Sequence, residues 1–111
     1  MQMDGTLART ILDGLREEIV FVGPDHVIRY MNRFAVEKYA KYGGKTLVGR
    51  SIFDCHNERS REIIYQAWAR FQAGEDEVLI SQSEKKRTYM RAVRDAEGNL
   101  LGYYEQDTLP A

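Results

Sequence analysis

The sequence predicts an α+β domain: a five-stranded antiparallel sheet with helices on one face, preceded by an amphipathic helix. Three observations carry this prediction. Two β-branched runs flank a Gly23-Pro24-Asp25 turn, which is the spacing of a hairpin. Two helical patterns then follow one another before the next strand. Three further strand patterns, separated by short turns, close the chain, so the helices fall between strands two and three and must lie together on one face.

Taken in order, Leu7, Ile11 and Leu15 recur at four-residue steps with Ala8 and Leu12 beside them. Residues 4–16 therefore read as a short amphipathic helix capped by Asp4 or Thr6. The run from Glu18 to Val22 is a first strand and the run from His26 to Met31 a second. Asn32 can cap a helix from Arg33 to about Tyr42, with Phe34, Ala35, Tyr39 and Ala40 as its inward face and Gly43-Gly44 as its stop. A loop over 48–57 then feeds the longest helix, 58–73, which ends at Gly74. In that helix Ile63, Ala67 and Phe71 lie four apart beside Ile64 and Trp68, an apolar stripe roughly 100° wide. Arg59, Glu62, Gln66 and Arg70 make the wet face. Burying the large side chains of the stripe is worth roughly 1.5–3 kcal/mol each, more than propensity gives a helix of this length. Glu77–Ser83, Arg87–Arg94 and Leu100–Gln106 read as strands three to five, and Gly98-Asn99 supplies the turn before the last.

A chain of 111 residues supports one core. Three parts are expected: an N-terminal helix over 1–16, an α+β domain over 17–108 and a tail over 109–111. Sixteen basic against seventeen acidic residues give a net charge of -1, no field for a polyanion, so nucleic acid is not an expected partner. Lys85-Lys86-Arg87 reads as a solvated strand edge. One cysteine cannot form an internal disulfide, and no leader or long apolar run occurs. The sequence thus predicts a cytoplasmic protein with no membrane partner.

Several segments together resemble a PAS domain, the small sensor module of bacterial signalling proteins. They are Ile19 to Asn32, the Val48-Gly49-Arg50-Ser51-Ile52-Phe53-Asp54 step, Arg94 to Gly102, and Gln106-Asp107-Thr108, which is similar to the Asp-x-Thr signature where PAS domains hand over to the next domain. Asp54, Cys55, His56 and Ser60 further resemble PAS domains found beside hemerythrin-like domains. The resemblance covers about residues 10–108 and implies a cleft between sheet and long helix that in some members holds a cofactor. It does not name one. The flavin branch needs Asn-Cys-Arg where Ser51, Ile52 and Phe53 stand, which argues against a light-sensing flavin. The helix-borne haem histidine of the oxygen-sensing branch would fall on Ile63, which cannot ligate iron.

The expected cleft residues are Cys55, His56, Ile64, Trp68, Tyr30 and Met90. Thiolate and imidazole both bind iron, so Cys55 and His56 could hold haem from the loop, with His56 as the metal ligand. Alternatively Cys55 is a small buried hydrophobe and His56 a helix-lead-in residue bonded to backbone. Trp68 and Phe71 could line the cleft or simply pack. Asp54 is expected to cap the turn into the long helix, and His26 to be exposed. Which of Tyr30, Tyr89, Tyr103 and Tyr104 face the cleft depends on register. Three Cys and His residues are too few and too scattered for structural zinc. Nothing resembles a nucleophile with its base or a phosphate loop, and the strands offer the cleft mainly Tyr, Thr and Arg, so catalysis is not expected.

The leading expectation is a sensory module that takes a small ligand in its cleft and signals through its terminal elements. The alternative is a ligand-free interaction or dimerisation module. Only Leu109-Pro110-Ala111 follow Asp107-Thr108, so the output is expected to pass to a separate downstream signalling protein. Leu7, Ile11 and Leu15 leave an apolar stripe outside the core pattern, which predicts a homodimer through the N-terminal helix.

Overall fold

The computed structural model describes residues 5–108 other than the side chain of Cys55. Its first element, α1 (Gly5–Asp13), buries none of its residues, and the expected cap at Asp4 falls outside the described residues. The chain then enters β1 (Val20–Val22) and β2 (Ile28–Met31), joined by the predicted turn. Next come α2 (Arg33–Lys38) and 3-10 turns at Ala40–Tyr42, Gly44–Leu47 and Ile52–Cys55. The long helix α3 (Glu58–Gln72) leads to β3 (Glu77–Gln82), β4 (Arg87–Arg94) and β5 (Leu100–Thr108). The five strands form one sheet in the order β2-β1-β5-β4-β3, every neighbour antiparallel. β5 therefore runs through the centre. Among the described residues no helix is long and apolar enough to cross a membrane.

Asn32 fixes the junction between sheet and helices. Its buried side chain accepts from the amides of Ile19 and Ala35, both at 3.0 Å, and donates to the carbonyls of Leu12 and Glu17 at 2.9 and 2.8 Å. One amide thus caps α2 as predicted and also pins the segment that links α1 to β1. The predicted helix over 33–42 is shorter than expected. It ends at Lys38, and Tyr39 turns off its axis to carry its hydroxyl to Glu18 Oε2 at 2.7 Å. The short helix turns only Ala35 fully inward, while Phe34 and Ala40 point to solvent, correcting the expected four-residue inward face. Gly43 and Gly44 stop the helical path at φ 118° and 52°.

α3 behaves as its periodicity requires. Ile64, Ala67 and Phe71 are buried, Ile63 and Trp68 are half-buried beside them, and Arg59, Glu62, Gln66 and Arg70 are exposed. Its N-cap is Asn57, whose side chain accepts from the Ser60 amide, and not Asp54. Asp54 lies three residues too early; it is exposed and 3.8 Å from Arg50. At the far end Arg94 donates to the Phe71 carbonyl at 2.7 Å, tying the helix to β4. The core under α3 holds Phe71, Met90 and Tyr103 with almost no exposure. At the centre of the sheet Gly102, with φ 153°, lets β5 approach β1 so closely that a Cβ there would stand 2.1 Å from the Val22 carbonyl oxygen.

Candidate functional site

A cavity of about 450 Å3 lies between the β1–β2–β5 end of the sheet and the short turns that cover it. Strand periodicity decides what the sheet shows it: Val20 and Val22 on β1 and Tyr103 and Glu105 on β5 share the inner face, with Val22 opposite Tyr103. Ile28 and Met31 come from β2, Leu47 from the second 3-10 turn, Ile52 and His56 from the loop before α3, and Ile64 from α3 itself. These make the body of the cavity apolar. Its polar end is built by Glu18, Glu105 and Tyr39, while Arg50, Ser51 and Asp54 supply polar groups from the loop.

The two carboxyl groups differ in their partners. Glu18 is saturated: Oε1 accepts from Lys38 Nζ and Oε2 from the Tyr39 hydroxyl, each at 2.7 Å. Burial and that bond hold the Tyr39 phenol far above its ordinary range, so it stays a donor, and the same carboxylate raises Lys38. The Glu105 carboxyl is half-buried and accepts no hydrogen bond from the described residues. Burial first, and then the Glu18 charge, push its carboxyl up from the usual range; Asp107 adds to this, while His56 and Lys38 oppose it. Lys38 also stands 4.0 Å from Asp107 on the outgoing strand, whose other oxygen accepts from Thr88 at 2.7 Å.

His26 is not exposed as expected. At φ 62° it turns its ring inward to lie 4.9 to 5.7 Å from the rings of Phe53, Tyr65, Trp68 and Tyr103, with Nδ1 2.8 Å from the Tyr103 hydroxyl. Burial lowers its pKa, with Asp25 opposing. The strained turn is held because the His26 backbone also bonds Gly23 and Ile52, at 2.9 and 2.8 Å.

Comparison with family models matches residues 12–105 to the PAS fold. The chain belongs to the PAS family. Solved structures agree with this PAS domain across its length. A C-terminal domain from Streptococcus mutans is 27% identical with TM-score 0.73, over 96% of this chain and 85% of that one. The PAS domain of a protein from Colwellia psychrerythraea has TM-score 0.68 at 11% identity, over 95% of each chain. A sensory box sensor histidine kinase from Vibrio cholerae has TM-score 0.61 at 17% identity, over 95% of this chain and 92% of that one. No curated protein sequence matches. PAS domains are sensory signalling modules, and that is the class of function to which this one belongs.

Of the residues the sequence pointed to, the PAS domain brings His56 and Ile64 to the cavity. The Cys55 side chain lies outside what the structure describes. Trp68, Tyr30 and Met90 do not line the cavity. Trp68 packs on His26 and Tyr103 under α3. Met90 is buried on the β4 side of the sheet. Tyr30 lies on the outer face, its hydroxyl 3.0 Å from Asp13 Oδ1. Among the four tyrosines in question only Tyr103 reaches the cavity; Tyr39 and Tyr42, from the turns, do so instead. Glu18 and Glu105 were missed, and Glu105 overturns the expectation that the strands offer the cleft mainly Tyr, Thr and Arg. The alternation with Tyr103 two residues earlier was the signal for it. His56 Nδ1 donates to the Ile52 carbonyl at 2.6 Å, the backbone bond foreseen as one of its two roles. Ser51 Oγ accepts from the Phe53 amide at 3.2 Å, a capping use. Among the described residues no three His, Cys, Asp or Glu side chains are grouped to hold a metal.

Proposed function

We propose that this PAS domain senses a small ligand in the cavity and passes its occupancy to the chain segments that lead in and out of the domain. The observation that carries the reading is the cavity itself: about 450 Å3, apolar along its body and polar at one end, the size and make-up of small-molecule sites. It favours a ligand over the ligand-free interaction module. A route outward starts at the same polar end. Glu18 sits in the segment between α1 and β1, and Lys38 bridges it to Asp107 near the end of β5. Gln106 donates to Glu17 at 3.4 Å. A ligand that disturbs the polar end therefore acts on incoming and outgoing chain together. Haem held by His56 would bring its own carboxylates into a cavity that Glu18, Asp54 and Glu105 already line, an unfavourable meeting of like charges.

Leu47→Trp, which projects an indole from the covering turn into the cavity, tests the reading. Wild type should show thermal shifts with small amphipathic compounds and the variant none, with the fold intact by circular dichroism. Shifts that survive Leu47→Trp would move the site elsewhere.

We further propose a homodimer through α1. Leu7 and Ile11 are 38 and 51% exposed on α1, which buries no residue in its own domain, and Leu15, past the helix end at Asp13 and so off the expected 4–16 helix, is 40% exposed. Light scattering at tens of micromolar should give a dimer that Ile11→Glu weakens by roughly tenfold or more; a wild-type monomer refutes it.

A further inference from the structure

We propose that the cavity receives a small organic cation, a protonated amine on a compact apolar body, with its ammonium group on Glu105 and its body along Val20, Ile28 and Leu47. The inference rests on the reading of the cavity as a ligand site and adds the chemistry of what enters it. Three observations lead there. Most of the lining is apolar and Glu18, Glu105 and Tyr39 cluster together, so a ligand suited to it is apolar over most of its surface with a polar group at that cluster. Of the two carboxyls in that cluster, Glu18 has both oxygens engaged, while the Glu105 carboxyl accepts no hydrogen bond from the described residues. A half-buried carboxyl without a donor is costly, and a ligand N–H removes the cost. Of the cations nearby, Lys38 is bonded to Glu18, and Arg50, exposed at the loop in a loose 3.8 Å pair with Asp54, is not among the charges that act on Glu105. An anion arriving at Glu105 meets two carboxyls and a lysine already bonded to one of them.

The charges that face Glu105 come from every element around it. Glu18 from the segment before β1 and Asp107 from β5 raise its proton affinity; Lys38 of α2 and His56 of the loop before α3 lower it. The phenols of Tyr39 and Tyr103 stay neutral, their pKa values held high by burial and by neighbouring carboxylates. Below the raised pKa of Glu105 the free domain carries the neutral acid. An arriving ammonium then displaces the carboxyl proton to bulk water, and the resulting carboxylate accepts an N–H from the ligand. Affinity for the cation accordingly rises with pH until Glu105 is ionised in the free protein.

Three probes with one body and three heads decide the matter: phenethylammonium, phenethyl alcohol and phenylacetate, titrated calorimetrically into the whole domain at a series of pH values from about 4.5 to about 8, where the amine, like lysine, stays protonated. The ammonium should bind about tenfold or more tighter than the alcohol at the highest pH, and phenylacetate weaker than both. In Glu105→Gln the preference for the ammonium should fall to within about twofold while the alcohol is unaffected. If that variant does not fold, the wild type still answers: ammonium affinity must rise across the pH series and level off once Glu105 is ionised, while that of the alcohol stays flat. Tightest binding by phenylacetate, or an ammonium preference that survives Glu105→Gln, overturns the cation. Failure of all three probes to bind at millimolar concentration overturns the ligand reading of the cavity together with it.

Discussion

One sheet supports two unlike halves. Where β3, β4 and β5 meet α3, the packing is closed: Phe71 and Met90 are wholly buried, and Ile64 and Ala67 nearly so. Where β1, β2 and the other flank of β5 meet the covering turns, the same sheet leaves about 450 Å3 open. The difference lies in the covering helices. α3 runs fifteen residues with an unbroken apolar stripe, whereas α2 runs six and turns one residue fully inward before Tyr39 and two glycines break the path. A helix that short cannot present a stripe to a sheet, so its side of the core stays incomplete. Closure follows helix length, and the opening is where the chain is broken into turns.

The largest effect should come from disturbing the strand the two halves share. Gly102→Ala would push a Cβ into the Val22 carbonyl and the Phe21 ring, parting β5 from β1; a loss of about 3 kcal/mol or more is expected in denaturant unfolding, and a change under about 1 kcal/mol would show that β5 relaxes freely. Next, the halves should answer truncation unequally. Phe71→Ala on the closed side should cost about 3–5 kcal/mol, while Leu47→Ala, whose side chain already borders empty space, should cost under about 2. Equal losses would mean that Leu47 is packed as tightly as Phe71 and borders no empty space. Smallest is a pH effect on the open side. Because the folded domain holds the Glu105 proton more tightly than the unfolded chain, stability falls as pH rises from the ordinary carboxyl range through the raised pKa. Glu105→Gln removes that loss, so its melting temperature should exceed wild type at pH well above the raised value and match it in acid; the reverse order would mean that the carboxylate is stabilised by the fold.

The closed half was legible in the sequence and the open half was not, for the same reason. Periodicity marks long elements: the stripe on α3, the stop at Gly74 and β4 from Arg87 to Arg94 all stand where it puts them. The cap at Asn32 was readable from residue type alone, although its bonds to Leu12 and Glu17 were not. The cavity, by contrast, is assembled from short pieces whose periodicity is too brief to read. Glu18 and Glu105 look in sequence like ordinary strand carboxylates, and only the register that puts Glu105 on the face of Tyr103 turns it inward. Tyr30 falls on the other face by that same register, and His26 reaches the core only through a left-handed backbone that a histidine seldom adopts.

The junction around His26 has an optical consequence. Trp68 is the single tryptophan of the chain, and its indole lies 5.4 Å from the imidazole of His26 and 5.8 Å from the phenol ring of Tyr103, which also forms a wall of the cavity. Its emission is therefore quenched or released by events at those two rings, and excitation absorbed by Tyr103 can transfer to it. The domain carries a built-in fluorophore at the seam between its closed and open halves, so a ligand that reached the Tyr103 wall of the cavity would register, without a label, in the emission of one indole.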